Sequence, residues 1–167
     1  MHLIKPNKQY TAEVEQALKA FEAENTTGFW NNPTKPQNID EYIKRAEDRS
    51  QGINLPPHAV PNSTYWLIDN DRFVRQVNIR HHLNESLEKR GGHIGYSIPP
   101  FARNQGYGTK ILELALSKAQ TLGLSRVLIT CSNKNIHSQK IIEKNGGVLQ
   151  DIHDVQGEMV RRYWIEL

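Results

Sequence analysis

The run Arg103-Asn104-Gln105-Gly106-Tyr107-Gly108-Thr109 constrains this chain more than any other, because it joins an extended segment to a helical one. Before it, Ile94-Gly95-Tyr96-Ser97-Ile98 has a strand pattern that stops at Pro99-Pro100, neither of which can donate to a sheet ladder. After it, Ile111, Leu112, Leu114, Ala115, Leu116, Ala119 and Leu122 make an apolar face wide enough to bury against a sheet. Glycines at 106 and 108 let the backbone approach a neighbour or a ligand, and the first N–H groups of a helix have no intrahelical acceptor. Phosphate oxygens would satisfy those donors. A simple turn with two glycines has the same local pattern, so a second motif is needed to separate the two.

The remaining elements follow from periodicity and punctuation. Leu3-Ile4 opens an edge strand, and Thr11 to about Glu24 sets Val14, Ala17, Leu18 and Phe21 on one helical face, with Thr11 as its cap. Gly28 to Pro33 interrupts that helix; Asn38 or Asp40 starts a second one carrying Tyr42, Ile43 and Ala46 and ending near Gly52. Asn54 to Asn62, with three prolines, is a loop at the rim of a groove. Thr64–Ile68 and Phe73–Ile79 form a hairpin around Asp69-Asn70-Asp71, and a polar, mobile connection from His81 to Gly92 leads to the next strand. Gly123 ends the central helix, and Arg126 to Cys131 is a buried strand whose continuous apolar character predicts a parallel neighbour. A helix from Asn135 to about Lys144 stops at Asn145-Gly146-Gly147, and Val148–Ile152 with Met159–Leu167 make an antiparallel pair.

Size and charge narrow the function classes. A chain of 167 residues suits one domain over 1–167, and two would be cramped. Its 21 Lys and Arg against 18 Asp and Glu are interspersed, which argues against nucleic acid as a partner but would help bind a small polyanion. Cys131 is the only cysteine, so there is no disulfide framework and a reducing, cytoplasmic setting is expected. No run reaches the roughly 20 apolar residues that span a bilayer, so no membrane partner is expected. No spaced His, Asp, Glu or Cys set predicts a metal site, and Thr109-Lys110 reverses the final pair of a P-loop.

Taken together, Gly95-Tyr96-Ser97-Ile98, the Arg103–Gly108 loop and the Asn135–Gly147 segment resemble the GCN5-related N-acetyltransferase (GNAT) superfamily. The loop is similar to that family's Arg/Gln-x-x-Gly-x-Gly/Ala acetyl-CoA motif. Asn135-x-x-Ser138 followed by Ile141 to Gly147 is similar to its second cofactor-facing helix and turn. Within the superfamily the chain resembles a poorly characterised group of predicted bacterial acetyltransferases. The resemblance implies an α/β (α+β) fold in a single GNAT-like domain: a mixed central sheet with splayed parallel strands, flanked by helices.

It further implies acetyl-CoA as cosubstrate and a small-molecule or peptide amine as acceptor, and it allows a homodimer through the final strand. Backbone N–H groups around Gln105, Gly106, Tyr107, Gly108 and Thr109 would hold the pyrophosphate, with Arg103 shaping or neutralising the site. Pantetheine would lie in the splay, against peptide groups near Ile98 and Pro100. Since neither proline can donate, Ile98 N–H is the candidate oxyanion stabiliser, with an ordinary ladder bond as its alternative role. Asn135 would either cap its helix or bond the pantetheine amide, and Ser138 is small enough to let the arm pass.

One departure bears on chemistry. Many superfamily members carry a proton-donating tyrosine four residues after the position matching Ser138, and here Ile142 stands there. The expected reaction is direct attack of a neutral amine on the thioester, with His81, His82, Glu85 and His93 as candidate general bases beside the strand leading into the site. Cys131, at the end of an apolar strand, reads as a structural thiol rather than a nucleophile. Trp30, Tyr42, Tyr65 and Trp66 either line an acceptor pocket or serve the core. A CoA-binding module without efficient catalysis is the competing class.

Overall fold

Asn70 and Asp71 carry φ of 48° and 57°, the left-handed pair that a two-residue hairpin requires and that Asn and Asp tolerate. They join β2 (Asn62–Asp69) to β3 (Arg72–Arg80) in antiparallel register, with Asp69 opposite Arg72 and Tyr65 opposite Val77. β1 (His2–Ile4) adds to the far side of β2, and β4 (Ile94–Tyr96) to β3. The computed structural model describes residues 1–23, 38–97 and 100–167, without the side chains at 18, 21, 22 and 100. The Gly28–Pro33 interruption, Trp30, Ile98 and the Leu18 and Phe21 side chains thus lie outside the described residues.

A second sheet has the order β5 (Arg126–Ser132), β7 (Glu158–Glu166), β6 (Val148–Val155), both pairings antiparallel. β7 therefore has both edges filled, and among the described residues the outer edge of this sheet is β6 rather than the final strand. The parallel neighbour expected for β5 is β4. His93 N–H donates to Leu128 O at 2.7 Å, and three residues on, Tyr96 stands beside Cys131, so the two strands run in the same direction. Beyond the His93–Leu128 contact no ladder joins them among the described residues. The result is a mixed α+β arrangement opened between β4 and β5.

Helices cover both faces. Tyr10, Val14, Ala17, Trp66, Ile68 and Phe73 form the core under α1 (Thr11–Ala23) and α2 (Ile39–Ser50). α2 is capped by Asn38, whose Oδ1 accepts Glu41 N–H at 2.9 Å. Thr11 does not cap α1: its hydroxyl donates to Lys8 O at 2.6 Å, because a 3-10 turn at Lys8–Tyr10, capped by Asn7, precedes the helix. The larger core, including Leu67, Val77, Ile79, Ile94, Val127 and Ile129, lies under α4 (Tyr107–Thr121) and α5 (Ile136–Lys144). The buried residues of α4 are Gly108, Ile111, Leu112, Ala115 and Ala119, with Leu114, Leu116 and Leu122 packed alongside.

The 81–92 connection is more ordered than its polarity suggests. It holds α3 (Glu85–Lys89), capped by Asn84, and is tied down by Arg80, whose Nη1 donates to Gly91 O and Gly92 O at 3.1 and 2.8 Å. A five-residue helix is too short for apolar periodicity to register. No described helix is long and apolar enough to cross a membrane.

Candidate functional site

α4 begins without a side-chain cap. Its N-cap is Gly106 at φ 78°, and a Cβ built there would meet nothing within 4 Å. The first helical bond is Lys110 N–H to Gly106 O at 3.3 Å, and the N–H groups of the turn before it have no intrahelical acceptor. Two side chains of the loop turn away from that opening. Gln105 donates its amide to Phe101 O at 2.9 Å, and the Tyr107 hydroxyl donates to the Asp69 carboxylate at 3.0 Å. That bond to Asp69 pushes the Tyr107 phenol above its ordinary pKa, so it stays neutral.

The opening faces a cavity of about 710 Å³ between the starts of α4 and α5 and the end of β4, a volume in the range of small-molecule sites. Arg103, Gly106, Tyr107, Gly108 and Thr109 line it on one side and Asn135 and Ser138 on the other. Gln105, Ile98 and Pro100 are not among the described lining residues. Asn135 Oδ1 accepts Ser138 N–H at 3.0 Å, so the helix cap is itself part of the cavity wall. The wall also includes Tyr96 and Ser97 of the strand motif, with His137 and Lys140 from α5. His137, Lys140 and Ile141 follow from α5 geometry, since residues three and four apart share a helical face.

The candidate bases lie elsewhere. His93 is buried, and its Nδ1 accepts Leu128 N–H at 2.9 Å. Burial, followed by the charges of Arg80, Arg126 and His82, pushes its pKa down to about 4, so it is neutral at pH 7. A neutral imidazole that accepts at Nδ1 carries its proton on Nε2, which leaves no free lone pair for an amine proton. His81 Nε2 pairs with Ser63 Oγ at 2.9 Å, and burial followed by the Lys5 charge lowers its pKa. Glu85 sits exposed on α3, held by Lys89 at 2.6 Å. Because β4 starts level with Ile79 and ends level with Val77, His81 is four residues of β3 from the Tyr96 level, about 13 Å at a strand's rise. These residues gather at the beginning of β4, and the cavity opens at its end.

Other sequence candidates resolve into packing. Trp66 is fully buried, stacked on Tyr42 with ring centres 6.0 Å apart and edge-on to Phe73 at 5.2 Å. Tyr65 is buried under Lys5. Cys131 is buried, and desolvation raises its thiol pKa. Ile142 is fully buried in the core under α5.

Comparison with known proteins gives one family. The family model described as an acetyltransferase (GNAT) domain matches residues 8–148. No curated protein matches the chain in sequence. Among solved structures, an acetyl transferase from Salmonella typhimurium that modifies the N-terminal serine of ribosomal protein L7/L12 superposes with a TM-score of 0.68. It has 13% identity and covers 99% of this chain and 94% of its own. The microcin C7 self-immunity acetyltransferase MccE, in complex with acetyl-CoA and AMP, gives 0.69 at 14% identity, covering 99% and 91%. A spermidine N-acetyltransferase variant from Vibrio cholerae gives 0.65 at 14%, covering 99% and 95%. At such identities the likeness is one of fold.

Proposed function

Because the chain belongs to the GNAT acetyltransferase family, we propose that it moves an acetyl group from acetyl-CoA directly to a primary amine, on a small molecule or a peptide. The observation that carries this is the open start of α4. Gly106 leaves a helix N-terminus uncapped on the wall of a cavity of about 710 Å³, and a Cβ there would project into free space. Two linked phosphates fit such a donor set, since the helix end combines free N–H groups with partial positive charge.

In this proposal the peptide groups of Gly106 to Thr109 hold the pyrophosphate and Arg103 contributes charge from the loop. Asn135 and Ser138 border the pantetheine arm where β4 and β5 diverge. Ile98 N–H, which lies outside the described residues, keeps its proposed part as oxyanion donor. The acceptor amine arrives neutral and loses its proton to water, since Nδ1 of His93 is engaged by Leu128 and His81 and Glu85 lie toward the other end of the strand. No acyl-enzyme is invoked, because the Cys131 thiol is buried and its pKa is raised.

Incubating the protein with acetyl-CoA and a panel of amino acids, polyamines, aminoglycosides and peptides, with products read by mass spectrometry, tests the proposal. An acetylated amine formed together with CoA supports it. Tight CoA binding with no product across the panel would instead support a CoA-binding module, the alternative favoured by the distance of the candidate bases from the cavity.

A further inference from the structure

We propose that Tyr96 delivers the proton to the departing CoA sulfur, the part that Ile142 cannot play. This deepens the acetyl-transfer proposal and rests on it. Tyr96 pairs with Val77 across β3 and β4, which turns its side chain to the α4 and α5 face together with Ile79 and Ile94. There it lines the cavity and reaches the neighbourhood of Ser138 on α5 and Cys131 on β5. It thus stands at the end of β4, on the cavity wall where β4 and β5 part. Its hydroxyl is shielded from water and makes no hydrogen bond to any described residue. The Ser138 hydroxyl is near enough to favour the ionised phenol without closing such a bond.

An unpaired buried hydroxyl destabilises a fold, so a free donor at the cavity wall is a feature that asks for an acceptor. A second orphan lies beside it. Arg75, two residues from Val77 on the same face of β3, is 1% exposed, and its Nε, Nη1 and Nη2 have no hydrogen-bond partner among the described residues. Its charge acts on Tyr96 and, more weakly, on Tyr107. A buried guanidinium without a carboxylate is costly on its own. Next to a phenol that gives up a proton, it offsets the negative charge left behind.

The groups facing the hydroxyl are Arg75, Ser138 and Cys131; burial raises the phenol's pKa, Ser138 and Arg75 pull it back. Tyr96 therefore holds its proton at neutral pH. The step balances as follows. The amine nitrogen forms a bond to the carbonyl carbon, and the carbonyl pair moves to oxygen. Collapse restores the carbonyl, breaks the C–S bond and sends its electron pair to sulfur, which takes the Tyr96 proton. The phenolate beside Arg75 regains from solvent the proton that the amine released, giving an amide and CoA thiol.

The test is single-turnover acetyl transfer by the unaltered protein, Tyr96→Phe and Arg75→Met, using an acceptor from the panel above and following the rate across pH. Phenylalanine keeps the packing and removes only the hydroxyl. The expected result is a loss of about 100-fold or more in the Tyr96→Phe rate constant, the usual worth of a general acid, with acetyl-CoA affinity retained. The alkaline fall of the unaltered protein should vanish in Tyr96→Phe and move to higher pH in Arg75→Met. A Tyr96→Phe rate and alkaline limb equal to those of the unaltered protein would overturn this proposal alone. Absence of transfer by the unaltered protein would overturn it together with the function on which it rests.

Discussion

Gly106→Ala separates a backbone cost from a ligand cost. At φ 78° an alanine sits in the left-handed region, which disfavours any L side chain by roughly 1–2 kcal/mol. Nothing lies within 4 Å of the new Cβ, so no steric term adds to that figure. For a domain of this length the loss corresponds to a fall in Tm of about 2–8 °C. Gly123, just past the other end of α4, provides the control: it has φ 87° and equally open surroundings, so Gly123→Ala should be destabilised by a similar amount.

The two variants should part company on acetyl-CoA. A methyl group at 106 stands where phosphate must approach the first-turn N–H groups, and losing one charge-assisted hydrogen bond costs about 1.5–3 kcal/mol, or roughly 10- to 150-fold in Kd. At 123 the same methyl group is a helix length away from the cavity. Titration calorimetry with acetyl-CoA, alongside thermal melts, reads both quantities. Equal affinities for the two variants would refute the placement of the phosphates at the start of α4, whatever their melting temperatures.

Other outcomes follow from the same geometry. Gly92→Ala should lose at least about 3 kcal/mol in a denaturant titration, because φ is 61° and the Cβ would lie 2.9 Å from the Leu128 carbonyl carbon and nearer still to its oxygen. Lowering the pH should destabilise the protein through His93: its folded pKa of about 4 lies below the ordinary imidazole value of 6.5, so the unfolded chain binds more protons between them. The contribution is complete above pH 6.5, is lost progressively toward pH 4, and amounts to no more than about 3–4 kcal/mol. His93→Gln should flatten that part of the stability profile, and an unchanged slope in urea melts would contradict it. Cys131→Ala should retain acetyl transfer, with no acetylated protein detectable by intact-mass measurement in either form. A dead Cys131→Ala, or a trapped acetyl-protein, would revive a covalent route.

Much of the frame was legible because it depends on local rules. The glycine loop, the apolar face of α4, the Asn-Asp hairpin and the Asn135 start of α5 each rest on backbone preference or periodicity within a dozen residues. The failures had equally local causes. Thr11 looked like a cap because nothing in its neighbourhood signals the 3-10 turn before it, and α3 escaped because five residues cannot show a helical period. The order of the second sheet needed tertiary information, since chain order alone does not say that β7 inserts between β5 and β6. In the site, the loop residues could be found from motifs, while Tyr96 and Arg75 stand out only because their polar atoms are buried without partners.

The separation of the candidate bases from the cavity has a single physical source. Histidines at the entry of β4 were weighed by their nearness in sequence to the site, but in sheets with parallel neighbours a ligand is admitted where strands separate at their carboxyl ends. His93 stands at the other end, where β4 and β5 still touch. Its N–H and its Nδ1 both engage Leu128, and Gly92 lets the two backbones come that close. Three residues further along no ladder joins the strands among the described residues, and Tyr96 lines the cavity there. The splay is thus pinned at one end by a histidine that is neutral at pH 7 and opens at the other beside Tyr96. A change at His93 should accordingly alter the width of the cavity as well as the stability of the fold, even though its ring lies outside the cavity wall.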